Sequence, residues 1–124
     1  MFKVRKREGK IVSFEIKKIT EAITKAFEAE NKVYDENIID FLALKVTANF
    51  ESKIKDNIVD VEDIQDSVES VLISAGYGDV AKAYILYRKL HDKMRNIKRQ
   101  AKYTVSKALL SIFNVLKGIY YERK

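Results

Sequence analysis

Lys6 and Arg7 near the start of the chain, with Lys18 further on, are the residues whose type and spacing could do chemistry. Ammonium and guanidinium groups that converge on a polyanion hold it through charge-assisted hydrogen bonds. If Lys6 and Arg7 lie in a regular strand, their side chains point to opposite faces. One would then reach a phosphate while the other braces the strand, unless a turn twists both towards the ligand. Lys18 falls in the first turn of an expected helix, where free N–H groups and the helix dipole already favour anions. A lysine there opposes the dipole unless an anion is near. Taken singly, each of the three is more often a solvated surface charge.

Other chemistry is thinner. Asp60, Glu62, Asp63, Asp66 and Glu69 carry oxygen donors of the kind a divalent cation takes. They sit at an expected helix start, where acids on a wet face meet the positive helix end, so no metal site is expected from them. The chain has no Cys, which excludes disulfides, zinc fingers, iron–sulfur clusters and thiol chemistry. His91 is the single histidine and cannot build a multi-His metal site. The four glycines, Gly9, Gly76, Gly78 and Gly118, form neither a Walker A loop nor a dinucleotide-binding loop. With no nucleophile–base constellation and no acid–base pair, no catalytic residues are expected and the chain is not read as an enzyme.

These groups need a scaffold, and 124 residues with 47% apolar and 34% charged side chains suit one soluble globular domain. No uncharged run is longer than that from Ala108 to Leu116, which is too short to cross a bilayer, and the N-terminus lacks the apolar stretch of a signal peptide. A cytoplasmic location without membrane contact is the expectation. Charge is unevenly spread. Residues 1–25 carry eight Lys/Arg against three acids, residues 26–80 four against thirteen, and residues 81–124 twelve against two. Such a pattern fits a phosphate-bearing ligand, an acidic partner, or charge pairing within the fold.

The hydropathy pattern predicts a mainly α fold. Apolar residues alternate with charged ones from Phe2 to Arg7 and from Lys10 to Phe14, and Gly9 supplies the positive φ of a tight turn, so a small β-hairpin is expected. Helical spacing then begins: Ile16, Ile19, Ile23, Ala26 and Phe27 mark a helix of roughly 15–30. Ile38 to Ile54 mark a second near 36–54, capped by Asp35. Val61, Ile64, Val68, Val71 and Leu72 mark a third near 61–75, capped by Asp60 and closed by Gly76. After Asp79 there is no breaker until Gly118. The polar stretch Lys98–Lys102 suggests a fourth helix ending near 99 and a fifth from about 102 to 121. The expectation is a hairpin capping an antiparallel four-helix bundle, with an extra C-terminal helix.

The order of motifs resembles the ATP-cone domain, the nucleotide-sensing module found at the N-terminus of ribonucleotide reductases, particularly the anaerobic class, and also present in the zinc-ribbon repressor of reductase genes. Val4-x-Lys6-Arg7-Glu8-Gly9-x-Ile11-Val12-x-Phe14 with Lys18-Ile19 is similar to its opening. Val61-Glu62-Asp63-Ile64-Gln65-Asp66 and the run from Asp79 to Arg88 are similar to its closing half, so the resemblance covers about residues 2–95. It implies a helical bundle capped by a three-stranded or hairpin sheet that binds ATP or dATP, with Mg²⁺ arriving alongside the nucleotide. By position, Lys6 and Arg7 match the phosphate-contacting pair, Val4 a strand residue lining the site, and Lys18 the first-helix lysine. Gln65 matches a third-helix position beside the nucleotide, and Glu15 a polar position near the base or sugar.

The chain departs from those proteins in carrying neither reductase cysteines nor a cysteine zinc ribbon. The expectation is a non-catalytic regulatory cone, residues 1–97, with a basic amphipathic tail, residues 98–124. The apolar stripe from Val105 to Tyr120 suits packing on the bundle or pairing in a homo-oligomer, and a reductase subunit is the other expected partner. A competing reading is a nucleic-acid binder using Lys93, Arg95, Lys98, Arg99, Lys102 and Lys107, which no recognition-helix signature accompanies.

Overall fold

A computed structural model of the chain describes residues 1–104, with side chains through residue 96. The elements run β1 (Lys3–Arg5), β2 (Ile11–Ser13), α1 (Ile16–Ala29), α2 (Glu36–Phe50), β3 (Ile58–Asp60), α3 (Val61–Ser74) and α4 (Gly78–Thr104). Helix dominates, as expected. Local chemistry accounts for the boundaries. Gly9 takes φ +93° in the turn between β1 and β2, where the Gly9 N–H donates to the Lys6 carbonyl at 2.9 Å. The Asp35 carboxylate accepts from the Ile38 N–H at 2.8 Å and caps α2. Gly76, at φ +89°, closes α3: its N–H reaches the Ile73 carbonyl at 3.1 Å while the Tyr77 N–H reaches that of Leu72 at 2.9 Å. That pair of bonds is a Schellman motif, which leaves no strain only because position 76 lacks a Cβ.

Three expectations are corrected. The hairpin is part of a three-stranded mixed sheet in the order β2-β1-β3, with β1 antiparallel to β2 and parallel to β3. The third strand is only three residues long and follows a turn in which Asp56 and Asn57 both take positive φ. Lys55 and Ile58 exchange both backbone hydrogen bonds across that turn, at 2.9 Å each. Asp and Asn are among the few residues that adopt this conformation cheaply. The second correction is that α2 stops at Phe50, followed by one 3-10 turn over Glu51–Lys53, rather than reaching Ile54. The third correction is that α4 does not break near residue 99 but runs on through Thr104. Lys, Arg, Gln and Ala are all good helix formers, so a loss of apolar periodicity there is no stop signal. The remainder of the expected fifth helix, with its apolar stripe, lies outside the described residues.

The four helices form a ring of contacts: α1 touches α2 and α4, and α3 touches the same two. Phe27, Phe50, Ile23, Leu42, Leu72, Val46, Val68 and Val80 from the helices, with Val59 from β3, are the largest fully buried side chains of the core. Phe2, Phe14 and Phe50 clasp the sheet to the end of α2, with ring centroids 4.4–5.8 Å apart. No described helix is long and apolar enough to cross a membrane.

Much of the uneven charge is paired within the fold. Arg5 meets Asp60 at 3.1 Å across β1 and β3, and Lys32 meets Asp79 at 3.1 Å. Arg88 on α4 reaches Asp66 at 2.9 Å and Glu69 at 2.7 Å on α3. Burial works against the Arg88 charge, but its hydrogen bonds to the two carboxylates outweigh this and the pKa is raised. The acids at 60–69 therefore serve chiefly as counter-ions, and among the described residues no group of three metal-ligating side chains gathers. At Asp79, the hydrogen bond from Lys32 and then that from the Val80 N–H hold the carboxyl below the usual carboxylate range. A carboxyl depressed on folding contributes stability above its unfolded pKa and loses it as pH falls through the folded value. Asp79→Asn is thus expected to destabilise the protein at neutral pH, with the difference from wild type fading from about pH 4 downwards. Urea unfolding at the two pH values checks this; a difference that persists in acid would assign the loss to something other than the carboxylate charge.

Candidate nucleotide-binding cleft

A cleft of about 210 Å³ opens between the sheet, the start of α1, and the facing sides of α3 and α4. Strand alternation turns Val4, with Val59 on the neighbouring strand, towards the interior, while Arg5 faces solvent and pairs with Asp60. Val4 therefore contributes to the cleft floor with Ile19, Ile64 and Val68. Tyr84 and Tyr87, one turn apart on α4, form the far wall, their rings stacked at 6.4 Å. Tyr84 is buried, and burial pushes its phenol pKa far up, so it stays neutral across the physiological range. Tyr87 is half-buried and continues the wall to His91, whose ring centre lies 4.5 Å away. Aromatic surfaces of this kind suit a planar heterocycle.

The mouth is cationic. β1 ends at Arg5, and Lys6 and Arg7 lie just beyond it at the start of the turn, where their side chains still fall on opposite sides. Lys6 falls on the Val4 side and lines the cleft; among the described residues it forms no ion pair. Lys18 lines the opposite lip, 3.5 Å from the Glu15 carboxylate, and both side chains are mostly exposed. Helix α1 has no acid in its first turn, and Glu15, at its N-cap, makes no side-chain cap. Its leading N–H groups thus open beside Lys18 and favour a negative ligand. Gln65 on α3 completes the lip.

Of the six residues singled out in the sequence, Val4, Lys6, Glu15, Lys18 and Gln65 share this cleft. Arg7 does not line it. Its side chain, 25% exposed, turns to the rim, and the guanidinium donates to Gln65 Oε1 at 3.0 Å, with Asp92 at 2.9 Å and Glu62 at 3.9 Å. A second hollow of about 200 Å³ beside the cleft joins Lys6, Arg7, Glu8 and Gln65 to Arg95 of α4. Sequence reasoning missed Ser13 and Phe14 as lining residues and Arg95 as a neighbour of the turn. Phe14 was legible in the hairpin alternation. Arg95 was not, because nothing local relates α4 to residue 7.

An apolar pocket with a basic lip is a shape many proteins share, so comparison with known proteins narrows it. The pattern of the ATP cone domain matches residues 2–93. The chain belongs to the ATP cone family. The vitamin B12-dependent ribonucleoside-diphosphate reductase of Mycobacterium tuberculosis H37Rv is 37% identical over 115 residues, which is 93% of this chain but 14% of that protein. The corresponding reductase of Thermoplasma acidophilum is 41% identical over 103 residues, 78% of this chain and 12% of its own. The anaerobic ribonucleoside-triphosphate reductase of Escherichia coli K12 is 38% identical over 97 residues, again 78% and 12%. The chain thus spans about a seventh or less of these relatives. In reductases the ATP cone is a nucleotide-sensing regulatory module, and most of each relative lies beyond the match.

Proposed function

We propose that this ATP cone binds ATP or dATP in the cleft and acts as a non-catalytic sensor, its output being a change in oligomeric state or in a partner's conformation. The observation that supports this most is the division of the cleft into an apolar half walled by Tyr84 and Tyr87 and a lip bearing Lys6 and Lys18. A nucleoside suits the first and a polyphosphate the second. On this reading Val4 packs against the nucleoside, Lys6, Arg7 and Lys18 hold the phosphates, and Gln65 and Glu15 hydrogen-bond the sugar or base. With its Oε1 engaged by Arg7, Gln65 has its Nε2 donors left for a ligand. Mg²⁺ would arrive on the phosphates rather than in a protein site. A ribonucleotide reductase subunit is the proposed partner, in keeping with the relatives. The basic tail as an effector segment, residues 98–124, belongs to the same proposal.

Calorimetric titration with ATP and dATP, paired with size-exclusion runs of free and loaded protein, tests the reading. Micromolar binding with a change in size is expected. No heat at millimolar nucleotide would refute ligand binding, and binding without any change in size or partner affinity would refute the proposed output.

A further inference from the structure

Among the described residues, Arg7 is the one of the six whose charge is held by two carboxylates, whereas Lys18 and Glu15 pair only with each other. The Arg7 guanidinium joins three elements that are distant in sequence: the β1–β2 turn that carries it, α3 through Gln65 and Glu62, and α4 through Asp92. The Asp92 contact, 2.9 Å with the Asp92 side chain 35% exposed, is the shorter and drier of the two ion pairs. From the proposed function we infer that Asp92 is a positioning residue for the phosphate site. It holds Arg7 at the rim, and a polyphosphate must take the guanidinium from it.

The physical case is one of competition. Arg7 shares a hollow with Lys6, which lines the cleft itself, so the guanidinium is within a side-chain rotation of any anion at the lip. A guanidinium offers a fork that suits a phosphate and a carboxylate equally well, but the phosphates of a nucleotide carry more charge than one Asp. Each Arg7 bond to phosphate is therefore offset by the loss of the bond to Asp92, and the free protein binds less tightly than its cations alone would allow. Linkage makes the effect reciprocal: if the Arg7–Asp92 pair weakens nucleotide binding by some factor, bound nucleotide weakens the pair by the same factor. Occupancy of the cleft is thereby reported to α4, the helix that leads towards the C-terminus, as the release of one ion pair.

A double-mutant cycle on ATP affinity, measured by calorimetry, tests this. Asp92→Ala is expected to tighten ATP binding by about fivefold, the upper end for a half-exposed ion pair. Asp92→Asn, which keeps the shape and a hydrogen-bond acceptor, is expected to do so by less. In an Arg7→Gln background, neither substitution should change affinity, since the carboxylate then has no guanidinium to withhold. Removing a negative charge near the lip by itself would tighten binding equally in both backgrounds. An equal gain, or no gain in the wild-type background, overturns the inference and leaves nucleotide binding standing. Failure of the wild-type protein to bind ATP overturns both.

Discussion

Phe50→Ala is expected to lower the free energy of unfolding by about 3–5 kcal/mol, the usual cost of emptying a fully buried aromatic site. The side chain is wholly buried, and it packs edge-on against both Phe2 and Phe14 with centroids at 5.8 Å. Those two rings come from the outer ends of β1 and β2, so the cavity would open between the sheet and α2, where three side chains rather than one lose their partners. Collapse to refill it is limited because Val46 and Leu42, on the same face of α2, are themselves fully enclosed. Urea unfolding of the two proteins reads the difference directly. A loss below about 1 kcal/mol would mean that the clasp is not a packed unit. Because Phe14 also lines the cleft, ATP affinity is expected to fall in the same variant even under conditions where it remains folded.

The second large effect is on binding. Lys6→Gln is expected to weaken ATP binding by about tenfold, since a charged hydrogen bond contributes roughly 1.5–3 kcal/mol. Lys6 faces the cleft and has no described ion pair to surrender, so its whole interaction with a phosphate appears as affinity. Arg7→Gln is expected to cost less, because the guanidinium must first leave Asp92 and Glu62. Strand alternation allowed for a difference between these adjacent cations but could not say which of them faces the ligand. Calorimetry with ATP and AMP separates the contributions: the loss at Lys6 should be large for the triphosphate and small for the monophosphate. Equal losses for both would move Lys6 from the phosphates to the nucleoside.

What could be read beforehand, and what could not, follows from the range of the forces involved. Helix bounds and turns depend on residues within a few positions of one another, and Gly9, Asp35 and Gly76 declare them. The cleft was legible to the extent that Val4, Lys6, Glu15, Lys18 and Gln65 belong to a recognisable order of motifs. The resemblance left a third strand open, but its place could not be read because a three-residue strand has too few side chains to display a period, and its turn uses Asp56-Asn57 where glycine would have been conspicuous. The continuity of α4 was obscured by a change in polarity that alters which face is wet without altering the backbone. The Arg7–Asp92 pair joins positions 85 apart in the chain, and no pattern within a window of the sequence can contain both.

The middle strand of the sheet is also the first to leave the ribosome. β1 can close its hairpin with β2 within microseconds of emergence, on the timescale of such turns. Its other edge stays open until residues 58–60 have been made, since Arg5 and Asp60 stand 55 positions apart. During that interval a short strand with one unpaired edge is exposed, the state most open to pairing with a neighbouring chain. Synthesis of the two helices between them is thus a delay built into the topology. The slowest step of folding is expected to be the docking of β3, with Val59→Ala slowing refolding more than a hairpin substitution such as Val12→Ala. Stopped-flow refolding of the two variants, each referred to its own loss of stability, would show which edge closes last.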